Sequence, residues 1–181
     1  MKKVLLALLL IGGGANVYAQ KYMTRTGKVS FFSSTPMENI SAVNNEAGSV
    51  LDSKTGDVVF QIAIKSFKFE KALMEEHFNE NYMESDKFPK SEFKGKVTDL
   101  SKVNFAKDGK YDVTASGKLT MHGVTKDVNI PGTITVKGNQ AILNAKFKVK
   151  PQDYKIKIPS MVENKIAKEI EVTVNSILDK K

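Results

Sequence analysis

The feature that most restricts this chain is an alternation of apolar and polar residues with period two, kept up through most of its length. A β-strand sends successive side chains to opposite faces, so this alternation marks strands with one dry and one wet face. Tyr111, Val113, Ala115, Gly117, Leu119 and Met121 share one parity. Asp112, Thr114, Ser116, Lys118, Thr120 and His122 share the other. Val58, Phe60, Ile62 and Ile64 repeat the pattern, as do Val128, Ile130, Ile134 and Val136, and then Ala141, Leu143, Ala145, Phe147 and Val149. Ile166, Ile170, Val172 and Val174 form a last run. Strands buried on both faces would read as unbroken apolar runs, so the sheet is antiparallel.

Turn signals divide the runs: Ser53–Asp57, Lys107–Lys110, His122-Gly123 and Lys137-Gly138-Asn139. The pattern predicts eight strands, near 25–33, 40–52, 57–67, 91–99, 110–121, 125–137, 140–149 and 165–178. Several approach about ten residues, a length that suits a twisted antiparallel barrel. The fold class is therefore all-β, an eight-stranded barrel, with two interruptions. Residues 70–83 read as one amphipathic helix with a stripe of Leu73, Met74, Phe78 and Tyr82, ended by Phe88-Pro89. Residues 151–164 form a long connection of the kind that usually covers something.

The first nineteen residues belong to a different argument. Lys2 and Lys3 precede an apolar run, Val4–Ile11, too short to span a bilayer. Gly12–Gly14 and Val17-Tyr18-Ala19 follow, a signal-peptide pattern with cleavage before Gln20. This predicts a leader at 1–19, one domain at 20–181 and a periplasmic or secreted destination. No cysteine follows the run to carry a lipid anchor. Loss of Lys2 and Lys3 leaves 26 basic residues against 20 acids, lowering the formal charge from +8 to +6.

Composition narrows the chemistry. The absence of cysteine excludes disulfides, thiolate metal sites and cysteine nucleophiles. With two histidines and no metal-spaced motif, P-loop, dinucleotide fingerprint or nucleophile elbow, no cofactor and no catalytic trio is indicated. The expectation is a protein that is not an enzyme. His122 has outward parity beside a turn glycine and reads as a solvated or hydrogen-bonded turn residue. His77 borders the helix stripe, where it anchors the helix or touches a ligand head group. Lys94, Lys96, Lys118, Lys126, Lys146, Lys148 and Lys150 lie singly on outward positions. They read as a solvated exterior or as a stripe with weak attraction to anionic membrane surfaces. Arg25 is the sole arginine, which argues against nucleic acid as partner.

A barrel of this size either fills itself with side chains or keeps room for one small ligand. Ala115, Gly117, Gly132, Ala141 and Ala145 at inward positions leave volume for a dry, carbon-lined cavity. The same residues would also serve strand coiling and close approach in a full core. The residues alone leave both readings open.

Two blocks then narrow the choice. His77-Phe78 with Phe88-Pro89-Lys90-Ser91-Glu92-Phe93, and Gly117-Lys118-Leu119-Thr120-Met121-His122-Gly123-Val124-Thr125, together resemble the motifs of the YceI-like family. Asp153-Tyr154-Lys155-Ile156 is similar to that family's closing element, with Lys155 where glycine is common. The resemblance runs from about residue 22 to 179. It implies an exported lipocalin-like barrel of a type that includes polyisoprenoid binders, and by analogy of architecture it admits a homodimer. On that basis the expected ligand-binding wall is Phe60, Ile62, Ile64, Leu73, His77, Phe78, Phe93, Leu119, Met121, Phe147 and Tyr154, with the helix and the 151–164 connection at the mouth. The expected function is carriage of an apolar lipid or isoprenoid chain. The alternative is a structural or stress-response accessory with a filled core that works through its basic surface.

Overall fold

The computed structural model describes residues 21–181, so the expected leader lies outside the described residues. The period-two runs become β1 (Lys21–Ser34), β2 (Asn39–Asp52), β3 (Asp57–Ala63), β4 (Lys68–Phe69), β5 (Lys90–Val97), β6 (Gly109–Met121), β7 (Val124–Lys137), β8 (Gln140–Val149) and β9 (Ile170–Lys180). Eight of them form the wall in the order β1-β9-β8-β7-β6-β5-β3-β2, and β1 pairs with β2 to close it. Every pairing is antiparallel. The two-residue β4 pairs only with Ala42 and Val43 of β2. Closure leaves the wall without a free edge, the usual liability of a large sheet.

Tight reversals set the register. The β6–β7 hairpin turns on His122 and Gly123, both with positive φ (50° and 72°). That is the geometry that matches the twist of the flanking strands. At Gly95 and Gly117, paired across β5 and β6, the backbones come so close that a Cβ on Gly117 would fall on the Gly95 Cα and the Lys94 carbonyl. Gly117 therefore serves close approach and creates no cavity volume. Ala141, fully buried, packs into the core. Ala115, Gly132 and Ala145 line the open space, although a Cβ on Gly132 would also fall on the Asn144 carbonyl.

Three elements depart from the sequence reading. The third strand ends at Ala63 rather than at 67. A single 3-10 turn, Ile64–Ser66, follows it, with the Ile64 N–H donating to the Pro89 carbonyl at 2.9 Å. This turn shifts the parity, so Phe67 and Phe69 turn inward. The final strand begins at Ile170 because Ser160–Lys165 coils into a 3-10 turn instead. The helix is shorter than expected: α1 (Ala72–His77) runs into a wider π turn, Phe78–Tyr82.

Apolar side chains gather in two clusters. The larger holds Tyr22, Leu51, Val58, Val97, Ile134, Val136, Ala141 and Leu178, with Leu100, Val103 and Phe105 of the β5–β6 connection packed on it. By strand direction it lies at the end of the barrel that carries the β2–β3 and β7–β8 turns. The smaller holds Val29, Ala42, Ala47 and Phe67, flanked by Phe31, Phe69 and Phe78. It lies at the opposite end, where α1 and the 150–169 connection cross.

Candidate functional site

Between the clusters lies a cavity of about 420 Å³. Its volume falls within the range of roughly 300–1,000 Å³ typical of small-molecule sites. Residues of all eight wall strands line it, Phe60, Phe93, Val113, Leu119, Ile130, Leu143 and Phe147 among them. Carbon dominates this lining, so the interior offers burial rather than hydrogen bonds. The polar lining includes Glu38, His77 and Lys165, on the elements that cross the helix-bearing end.

Nine of the eleven expected wall residues line this cavity: Phe60, Ile62, Ile64, His77, Phe78, Phe93, Leu119, Met121 and Phe147. Leu73 does not; it is 60% exposed. The inward side of the helix carries Met74, His77, Phe78 and Tyr82, and Leu73 sits one residue, about 100° of helical turn, away from Met74. Tyr154 does not line the cavity either. It is buried in the 3-10 turn Pro151–Tyr154, where burial, with the charge of Asp153 added, pushes its phenol above the usual range.

The helix-bearing end has an aromatic cage that the sequence pattern did not indicate. Phe78 stacks on Phe31 with centroids 5.4 Å apart, and lies 5.6 Å from Phe67 and 5.1 Å from Phe69. These four rings come from β1, the turn after β3, β4 and the π turn. Phe31 stands next to Phe32, so parity alone could not say which faced inward. Phe67 and Phe69 lie past the parity shift. A run of phenylalanines at 31, 67, 69 and 78 was the only available signal.

Of the two readings of His122, solvated or hydrogen-bonded, the structure has the second: the residue is buried at 9% exposure. Its Nδ1–H donates to the Tyr154 carbonyl at 3.0 Å, and Nε2 meets Glu84 Oε2 at 2.8 Å. The ring is thus held between a backbone carbonyl and a carboxylate, both of them acceptors. The Phe88 ring packs beside it at 4.6 Å. His122 thus ties the β6–β7 turn to the chain after the helix and to the start of the 150–169 connection. The three non-glycine residues with positive φ in the described chain are Glu84, His122 and Lys155, and all belong to this junction. Lys155 adopts φ 59° as it ends the 3-10 turn. His77 plays no such part: its Nδ1 accepts from the Asn81 side-chain amide at 3.0 Å, and the residue is exposed at the mouth. Among the described residues, no three His, Asp or Glu side chains converge as metal ligands would.

The 150–169 connection covers the same end. Ile156, Ile158, Val162 and Ile166 line the cavity, while Lys155, Lys157 and Lys168 face solvent. The Ala167 N–H donates to Ser33 Oγ at 2.9 Å, which pins the connection to the end of β1.

Comparison with known proteins gives a consistent placement. The family model of the YceI-like domain matches residues 19–177. Among solved structures, a polyisoprenoid binding domain from Saccharophagus degradans implicated in plant cell wall breakdown superposes with a TM-score of 0.78 at 13% identity. The match covers 89% of this chain and 98% of that one. BcnA of Burkholderia cenocepacia superposes at 0.69 with 18% identity, covering 83% and 95%. The YceI protein of Campylobacter jejuni superposes at 0.57 with 18% identity, covering 75% and 81%. No protein among the curated ones matches.

Proposed function

We infer a carrier role from two facts that meet in one place: the chain belongs to the YceI-like family, and its barrel keeps a carbon-lined space where a filled core would leave none. The ligand class follows from the lining. An apolar chain gains about 25 cal/mol per Å² buried. Several hundred Å² of chain would therefore bind by several kcal/mol even after the costs of ordering it. A polyisoprenoid or another long lipid tail meets that description, and a polyisoprenoid binding domain is among the structures that share this fold. Phe60, Phe93, Leu119 and Phe147 would hold the inner part of the chain, and Phe78 with its neighbouring rings the outer part. The proposed role is non-catalytic, because burial in a dry wall changes no bond of the ligand.

Residues 1–19 fit an export leader in this reading, with the barrel delivered to the periplasm or beyond and weak contact with an anionic membrane surface aiding delivery. The observation that carries the function is the cavity itself, since the alternative of a surface-acting accessory has no use for it. The test is native mass spectrometry and lipid extraction on protein purified from its own host. A stoichiometric lipid is expected, and the same spectrum reads whether the carrier is single or a homodimer. A clean unliganded mass, with no rise in melting temperature on adding isoprenoids, overturns the carrier role.

A further inference from the structure

We propose that the 155–168 connection is a bilayer-docking face, which presents the cavity mouth to anionic lipid. The inference rests on the carrier reading above and adds the partner and the footprint. It starts from where the unpaired positive charge lies. Of the seven outward lysines, five are paired with four carboxylates: Lys94 with Glu92, Lys118 with Asp127, Lys146 with Glu171, and Lys148 and Lys150 sharing Glu169. Much of the charge along these strands is therefore paired, while Lys96 and Lys126, and Lys54, Lys107, Lys110 and Lys137 towards the far turns, stand outside these ion pairs. Residues 155–168 differ in being a cluster of such lysines on the segment that lines the cavity mouth. They carry Lys155, Lys157, Lys165 and Lys168 against one acid, Glu163, and none of these lysines lies in an ion pair among the described residues.

The same segment exposes Met161 to 90%, the most exposed large apolar side chain of the described residues. Its neighbours Ile158 and Val162 line the cavity. One short stretch thus has an inner face that forms the mouth, and an exposed apolar tip at Met161 flanked in sequence by exposed lysines. This is the pattern by which a surface element settles at the headgroup boundary of an anionic membrane. Across the mouth, residues 70–86 carry six acids and one lysine; Glu75, Glu84 and Asp86 are paired with Lys68, Lys87 and Lys65, and Glu70, Glu76 and Glu80 stand outside these ion pairs. That side is repelled by the same surface, so the barrel tilts onto the connection with its opening at the bilayer.

The experiment is flotation with vesicles of phosphatidylcholine alone or with a third phosphatidylglycerol. Wild-type protein is expected to float with the anionic vesicles and to stay behind with the neutral ones. Lys157→Gln with Lys168→Gln should weaken the partition on the order of tenfold, and Lys118→Gln should leave it unchanged. Equal flotation with both vesicle types, or equal losses from the strand and connection lysines, overturns the proposal. The chain has no tryptophan, so Met161→Trp provides a single indole reporter that does not depend on loss of binding. Its emission should shift to the blue on anionic vesicles, and an unchanged spectrum overturns the footprint. Uptake of an isoprenoid added without vesicles is measured in parallel. Uptake without flotation sinks docking and leaves the carrier; flotation without uptake sinks the carrier and leaves docking.

Discussion

The two ends of the barrel are built from the same alternating strands and are finished in opposite ways. At the far end Tyr22, Leu51, Ala141 and Leu178 have no exposed surface, and the β5–β6 connection inserts Leu100, Val103 and Phe105 over them. At the mouth the rings around Phe78 are mostly half-buried. There the covering chain is held by a few polar ties: His122 to Tyr154 and Glu84, Ala167 to Ser33, and Lys68 to Glu75. Apolar packing is non-directional and summed over many contacts, whereas a handful of hydrogen bonds can open together. The difference teaches that stability and access have been separated along one axis. The far end supplies the fold, and the mouth opens at a smaller cost, as ligand-admitting segments must.

The largest effect should come from the far end. Leu51→Ala removes a fully buried side chain and should cost about 2–5 kcal/mol, read as a lowered denaturation midpoint. Phe78→Ala, at the mouth, should cost less than that while weakening isoprenoid uptake more. If the two variants lose equal stability, the division between the ends is wrong.

Next in size is the His122 junction. His122→Asn keeps a residue that tolerates the left-handed backbone and removes both ring bonds. It should cost about 1–3 kcal/mol. The loss should be local: amide hydrogen exchange or proteolysis should speed up within 150–169 more than in β6 or β7. Uniform acceleration across the barrel would show that His122 supports the wall and not the cover.

How much of this was legible follows the same axis. The far end is strand packing, and strands announce themselves by period two, so Val58, Ile134 and Leu143 were readable as inward from the chain alone. The mouth is made where that period breaks. The Ile64–Ser66 turn reversed the parity of Phe67 and Phe69. Leu73 lies within α1 but about 100° of helical turn from Met74, outside the inward stripe. Tyr154 turned out to act through its backbone carbonyl, which no side-chain pattern encodes. Likewise, Lys146, Lys148 and Lys150 looked like free charge because their carboxylate partners, Glu171 and Glu169, lie beyond the long connection in sequence.

Lys155 sharpens the comparison with a change of opposite sign. It holds φ 59°, a conformation that costs a side-chain-bearing residue about 1–2 kcal/mol and that glycine adopts freely. Lys155→Gly should therefore gain stability, on the order of 1 kcal/mol less the entropy glycine returns to the unfolded chain. A measured loss would mean that the lysine side chain is tied down at the mouth.

The smallest effect is a pH dependence confined to the mouth. Glu75 accepts from Lys68 Nζ at 2.6 Å and from the Phe69 N–H at 3.3 Å. These bonds, the one from Lys68 foremost, hold its carboxyl below the usual range. A carboxyl held low in the folded state stabilises the fold above its ordinary pKa, and that contribution is lost as the pH falls through the depressed value. The pair is partly solvated, with Lys68 largely exposed, so its worth is at most about 1 kcal/mol. It ties β4 to α1 and leaves the far end untouched. Acidification should therefore loosen the helix before the barrel, with exchange at residues 72–82 rising while Leu51 and Leu178 stay protected. Glu75→Gln should abolish this acid step in 72–82 and leave the neutral-pH midpoint within experimental error. If acid instead loosens both ends together, the mouth is not a separate cooperative unit, and the cover opens only when the whole barrel does.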